Sequence, residues 1–241
     1  MTKEEPNGGS NLVDRVAEAI WNAQRAEELN QIAAFEFDKS VFRSAGSLLI
    51  EAGPREQIVV IFSLISHCVD KALRYHFSHS TKTDQKELLE GLGPLASDAA
   101  RIKLLRVLGW VSPELADAVD GVRRLRNRLS HSLDAIALDS HIHIPEPLLT
   151  RLCSAIDKGI EAALSVASEG FRPDGDKARS IPGIGLMLAG NVLEEIVTAP
   201  ACLRLGIPVG SRLHGFDDAP AWLTDVRHSV VRALLEFSEI P

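Results

Sequence analysis

The most regular apolar spacing in the chain follows Ser112. Leu115, Ala118, Val119, Val122, Leu125 and Leu129 recur at intervals of three and four, which places one buried stripe along a helix. Ser112 suits the N-cap, Pro113 the first helical position, and Glu114 the positive end of the helix dipole. Ile58 to Phe77 is apolar on nearly every side in its first half and continues without a breaker. That pattern predicts a central buried helix. Shorter helices are predicted over Val41–Glu51, ending at Gly53-Pro54, through Leu89, and over Ala99–Leu108, capped by Ser97 or Asp98 and closed by Gly109.

Towards the start of the chain, residues 1–10 are charged and rich in Gly and Pro, and are expected to be disordered. Ser10 or Asn11 can cap a helix running towards Phe35, with Leu12, Val16, Ala19, Ile20, Ala23, Leu29 and Ile32 expected on its apolar face. Beyond His131, Ser132–Pro147 reads as an irregular link and Leu148–Ala167 as an amphipathic helix. Residues 170–241 read as a helical extension packed on a core domain of residues 11–169. In it, Ile184–Pro200 and Ala221–Phe237 are helices, and Leu223, Val226, Val230 and Leu234 need cover. The predicted fold is all-α, a bundle of six to nine helices.

On the helix after Ser112, about 100° per residue puts Asp120, Arg124, Asn127 and His131 within roughly 60° of one another, nearly opposite the stripe. Arg126 falls at the stripe's edge, about 140° round from His131. Asp70 lies well inside the Ile58–Phe77 helix, where an unpaired carboxylate is costly. It needs a cationic partner, and Arg126 is the expected one.

Composition narrows the field. The chain has 241 residues, 45% of them hydrophobic and only 5% aromatic, which suits a helical core and excludes a disordered chain. A net charge of −7 argues against a broad nucleic-acid footprint, although Arg123, Arg124, Arg126 and Arg128 make a local basic cluster. Cys68, Cys153 and Cys202 are far apart and odd in number, as expected of reduced thiols in the cytoplasm. The polar MTKEEPNGGS segment gives no signal peptide, and the Ile58–Ile65 run is too short to span a bilayer. The expectation is a cytoplasmic protein with no membrane contact.

Two blocks carry a family resemblance. GPLASDAARIKLLRVLGWVS (93–112) followed by RRLRNRLSH (123–131) resembles the core signature of the mannitol-operon-repressor (MltR-like) family of small all-helical bacterial regulators. The resemblance runs from about Pro54 to Leu164, with Gly93, Pro94, Leu95, Ala100, Arg101, Lys103, Leu108 and Gly109 matching. Asp70, in VDKAL, matches an acidic position of that family. The terminal Arg126-Asn127-x-x-x-His131 also resembles the R-N-x-x-x-H pattern of the HEPN superfamily, whose active members are metal-independent ribonucleases.

That second likeness implies a catalytic set of His131, Arg126 and Asn127. His131 would transfer a proton, Arg126 would hold phosphate, and the RNA's own 2′-hydroxyl would attack. Such sites form where helices of paired protomers meet. The alternative is structural: Arg126 pairs with Asp70, Asn127 makes a backbone or interface contact, and His131 ends its helix where a cation suits the dipole. On that reading Asp70, Arg101, Asp120, Arg124 and Asn127 serve structure or an interface.

The second reading is favoured. It makes the chain a homodimeric regulator acting through a protein partner, with RNA binding only under the alternative. No basic helix-turn-helix is visible, so direct DNA binding is not expected. Nor is a metal or other cofactor. His141-Ile142-His143 with Asp139 reads as a solvated loop, and Gly183, Gly185 and Gly190 as a loop entering a helix.

Overall fold

A computed structural model describes residues 8–131, 145–154, 157, 175–209 and 220–238, with side chains for 14–130, 145–154, 157, 175–176, 178–209 and 220–236. Among these the chain is all-α, and nine helices follow one another: α1 Gly8–Ala33, α2 Ser40–Glu51, α3 Pro54–His76, α4 Lys82–Leu89, α5 Asp98–Val107, α6 Pro113–His131, α7 Gly175–Ala178, α8 Ile181–Arg204 and α9 Ala221–Ser238. Residues 146–154 are helical as well. Local chemistry sets several of the boundaries. Thr81 and Asp84 close a reciprocal capping box at α4, and the Ser97 hydroxyl accepts from the Ala100 N–H at α5 (3.2 Å). Gly109 ends that stretch at φ 64°, a conformation that favours glycine.

The core is built around two helices. α3 buries Ile58, Ile61, Phe62, Ile65, Val69 and Leu73, and its chief neighbour is α8. The two run in the same direction: a Cβ on Gly185 would stand 2.7 Å from Ile61, and further along the His76 Nε2 meets the Ile196 carbonyl oxygen at 2.8 Å. α9 lies antiparallel on α8, with Gly183 against Leu234 and Gly190 against Val230. It also covers α2, where Gly46 meets Ala233. Residues of the C-terminal stretch therefore share one apolar cluster with α2, α3, α5 and α6.

Among the described helices, α8 is also the one long and apolar enough to cross a bilayer, yet 72% of its most apolar window is buried inside the fold. It is a core helix by its packing.

Three details differ from the sequence expectations. α8 starts at Ile181, so Gly183, Gly185 and Gly190 lie within the helix, where their missing side chains admit its neighbours. α1 starts at Gly8, so residues 8–10 of the segment expected to be disordered are helical. And α1 carries two apolar faces where one was expected. Ile32 is buried and Leu29 half-buried, whereas Val16, Ala19, Ile20 and Ala23 are exposed.

The C-terminal end of α1 is pinned by polar bonds: Trp222 Nε1 donates to the Ile32 carbonyl (2.7 Å), Tyr75 donates to the Gln31 carbonyl (2.5 Å), and Arg204 pairs with Glu28. Phe35 packs edge-on against Tyr75 and Trp222, at 5.1 and 4.8 Å between centroids.

Candidate functional site

α6 carries most of the residues singled out from the sequence. Its buried stripe is Leu115, Ala118, Val119, Val122, Leu125 and Leu129, with Ala116 beside it. It runs antiparallel to α3: the Trp110 ring, just before α6, packs at a tilt against His76 at the end of α3 (4.6 Å between centroids), and Arg126, near the other end of α6, lies over Phe62. This register decides which charges meet.

The expected Asp70–Arg126 pair does not form. Asp70 lies eight residues, about 12 Å of helix, beyond Phe62 on α3, and so far from the level that Arg126 reaches. The carboxylate is held instead by Arg74 one turn on (Nε to Oδ2, 2.7 Å) and by Arg101 of α5 (Nη2 to Oδ1, 3.2 Å). Arg101 is the buried member, 8% exposed. Its Nε donates to the Leu95 carbonyl (2.8 Å) and its Nη2 to the Leu89 carbonyl (2.9 Å). One guanidinium thus ties the turn between α4 and α5 to α3. Arg74 extends the network to Glu90 (3.0 Å), and Ser66 donates to Asp98 (2.6 Å), fixing the start of α5 on α3.

Arg126 is half-buried at the edge of the stripe, as its helical position predicts. Its guanidinium carbon stands 4.7 Å from the Phe62 ring centroid, in cation–π range, and its Nη1 donates to the Asn127 side-chain oxygen (3.0 Å). Among the described residues no carboxylate pairs with it. His131 is the last residue of α6, and its side chain lies outside the described residues, as do Asp139, His141 and His143.

The rest of the polar ladder is internally satisfied. Asp120 accepts from Arg123 (Nε, 2.8 Å) and from Arg124 (Nε, 2.7 Å). Partial burial pushes its carboxyl up, but the two arginines outweigh that and hold it below the ordinary value. Arg124 is otherwise exposed, and so is Arg128. Among the described residues no group of three or more His, Cys, Asp or Glu is placed to hold a metal ion.

Compared with protein-family models, curated proteins and solved structures, the chain matches none.

Sequence reasoning missed Glu195. It sits on α8, 4% exposed, and accepts from the Ser112 N–H (2.7 Å), the Ser112 hydroxyl (3.1 Å) and Arg151 (3.3 Å). The carboxylate occupies the N-terminal end of α6 and clamps together α8, α6 and the helical residues 146–154. The signal was present: Glu194-Glu195 interrupts an apolar run on the predicted Ile184–Pro200 helix. Glu194 takes the outer position and pairs with Arg227 (2.6 Å), leaving Glu195 inside.

Burial pushes the Glu195 carboxyl above its ordinary 4.5, and the bonds from Ser112 and Arg151 offset this only in part. A carboxyl raised on folding contributes stability that is complete below its unfolded pKa and is lost as pH rises through its folded one. Wild type should therefore lose stability relative to Glu195→Gln as pH climbs above 4.5, read as the Tm difference between them. A difference that moves the other way would mean that the ionised form is the one the fold prefers.

Proposed function

We propose that this chain is a non-catalytic bacterial regulator of the mannitol-operon-repressor type. It acts through protein–protein contacts as a homodimer in the cytoplasm, with no DNA-reading element of its own. The observation that carries this reading is the engagement of Arg126. Its guanidinium rests on the buried Phe62 ring and gives one N–H to Asn127, which holds it against the bundle. Asp70 with Arg101, and Asp120 with Arg124, likewise form bonds that stiffen α3, α5 and α6. The free cysteines Cys68, Cys153 and Cys202 suit a reducing compartment.

The runner-up is a metal-independent ribonuclease of the toxin or defence type. What favours it is that Arg126 keeps its charge unneutralised by any carboxylate among the described residues. In that case Arg126 and Asn127 would meet the phosphate and His131 would move the proton. Incubation with single-stranded RNA in EDTA separates the two. The expected result is no cleavage by wild type beyond that of Arg126→Ala and His131→Ala. Cleavage that survives chelation and disappears in both variants would replace the regulator with the nuclease.

A further inference from the structure

Pro200 stands inside α8, one turn before the helix ends at Arg204, although the apolar pattern of the sequence stops the helix at Pro200. A proline in that place has no N–H to give, and its ring crowds the carbonyl four residues back. That carbonyl belongs to Ile196, a fully buried residue. A buried carbonyl left without a donor is costly. The donor comes from another helix: the His76 Nε2, at the end of α3, stands 2.8 Å from the Ile196 oxygen. Because a carbonyl only accepts, the imidazole carries its proton on Nε2.

The ring is set in place by its neighbours. Trp110 packs at a tilt against it, with 4.6 Å between centroids, and Tyr75 meets it edge-on at 5.2 Å. Burial disfavours a second proton on the imidazole, and the Arg204 charge acts in the same direction, against the pull of the Ile196 bond. The net effect holds His76 below the ordinary imidazole value, so at neutral pH it is a neutral donor. What lies beyond Pro200 matters to the rest of the fold. The N–H groups of Ala201, Cys202 and Leu203 reach back past the proline to the preceding turn. The same last turn carries Arg204, which pairs with Glu28 and so anchors α1.

We propose that His76 is the latch of a hinge at Pro200: its ring N–H replaces the missing backbone donor and holds shut the last turn of α8, the turn that carries the Arg204 anchor of α1. The hinge follows from the covalent structure, because a helix gives way where proline removes one rung of its ladder. The latch follows from geometry, since a side-chain donor from α3 sits on the very carbonyl that the proline leaves without one. The end of α3 thus reaches α8 through His76 and α1 through Tyr75, which donates to the Gln31 carbonyl. None of these residues belongs to the Arg126 face of α6, so the device holds for a regulator and for a nuclease alike.

Residue-resolved hydrogen exchange of the full chain, with and without low urea, tests the hinge, and three variants test the latch. His76→Phe keeps a ring beside Trp110 but has no donor, Pro200→Ala returns the backbone N–H, and the third variant combines the two. In wild type the Ala201, Cys202 and Leu203 amides are expected to exchange faster than those of Leu188–Val192 and to respond less to urea, as an opening that exposes little surface does. In His76→Phe they should exchange at least about tenfold faster again, the scale of one buried carbonyl left unsatisfied. Adding Pro200→Ala should cancel that increase to within about twofold. Amides beyond Pro200 that are as slow and as urea-sensitive as the middle of α8 overturn the hinge. An increase of the same size with and without Pro200 means that the imidazole acts by packing alone, and overturns the latch. If His76→Phe does not fold, the combined variant must, and its failure overturns the proposal as well.

Discussion

Arg101→Met is expected to lower unfolding stability by about 3 kcal/mol, since removing one partner of a buried ion pair usually costs ~3–5 kcal/mol. Arg74 remains on Asp70 in that variant, which keeps the loss at the lower end. The Leu89 and Leu95 carbonyls lose their donor too, and an unsatisfied buried acceptor adds to the cost. In urea the midpoint should fall with the slope unchanged. Arg126→Met should cost only about 1 kcal/mol, the scale of one partly exposed cation–π contact. A double-mutant cycle sharpens the contrast. Asp70→Asn combined with Arg101→Met should show clear coupling, and Asp70→Asn combined with Arg126→Met almost none. Strong Asp70–Arg126 coupling would restore the pair that the α3–α6 register excludes.

The reason that pair looked right is instructive. The need of Asp70 for a cation was legible from its place inside an apolar helix, and Arg126 was legible as a residue at a stripe's edge. Neither fact contains the register of α3 against α6, which only tertiary packing sets. Arg101 was harder to rank as the partner, because α5 is short and its buried side is set by the turn at Gly91–Leu95, where Arg101 finds the Leu89 and Leu95 carbonyls. Glu195 was hidden by the same kind of gap. Two adjacent glutamates on one helix face different neighbours, and the sequence does not say which of them meets the free N–H at Ser112.

Helix positions fared better, because local chemistry decides them. The capping residues Thr81 and Ser97, the Gly53-Pro54 break and the left-handed Gly109 act within a few residues of the boundaries they set. α1 shows where periodicity misleads. Its apolar residues keep helical spacing over more than twenty positions, yet Val16, Ala19, Ile20 and Ala23 lie nearly opposite Leu29 and Ile32, by which the helix docks. A list of apolar positions hides this until angles are assigned. Three glycines in eight residues usually mean a loop, but at the start of α8 they lie within the helix and admit close neighbours, Ala178 at Gly183, Ile61 at Gly185 and Val230 at Gly190.

Gly185 gives the most severe of those approaches to a side chain. A Cβ placed there would stand 2.7 Å from three carbon atoms of Ile61, and Ile61 is fully buried on α3. Neither helix can retreat easily, since α8 is held on its far side by α9 and at its middle by the Glu195 clamp. Gly185→Val is therefore expected to cost about 3 kcal/mol, the upper range for overpacking a closed core, despite the better helix propensity of valine over glycine. The clash has one named opponent, so it should be relieved by shrinking it. Ile61→Ala alone should cost about 2–5 kcal/mol through the void it leaves, while the double variant should be more stable than the sum of the two losses predicts. Urea midpoints of the four proteins measure this directly. Strict additivity would mean that α3 and α8 do not meet at Gly185 and Ile61, and the parallel pairing at the centre of this fold would have to be redrawn.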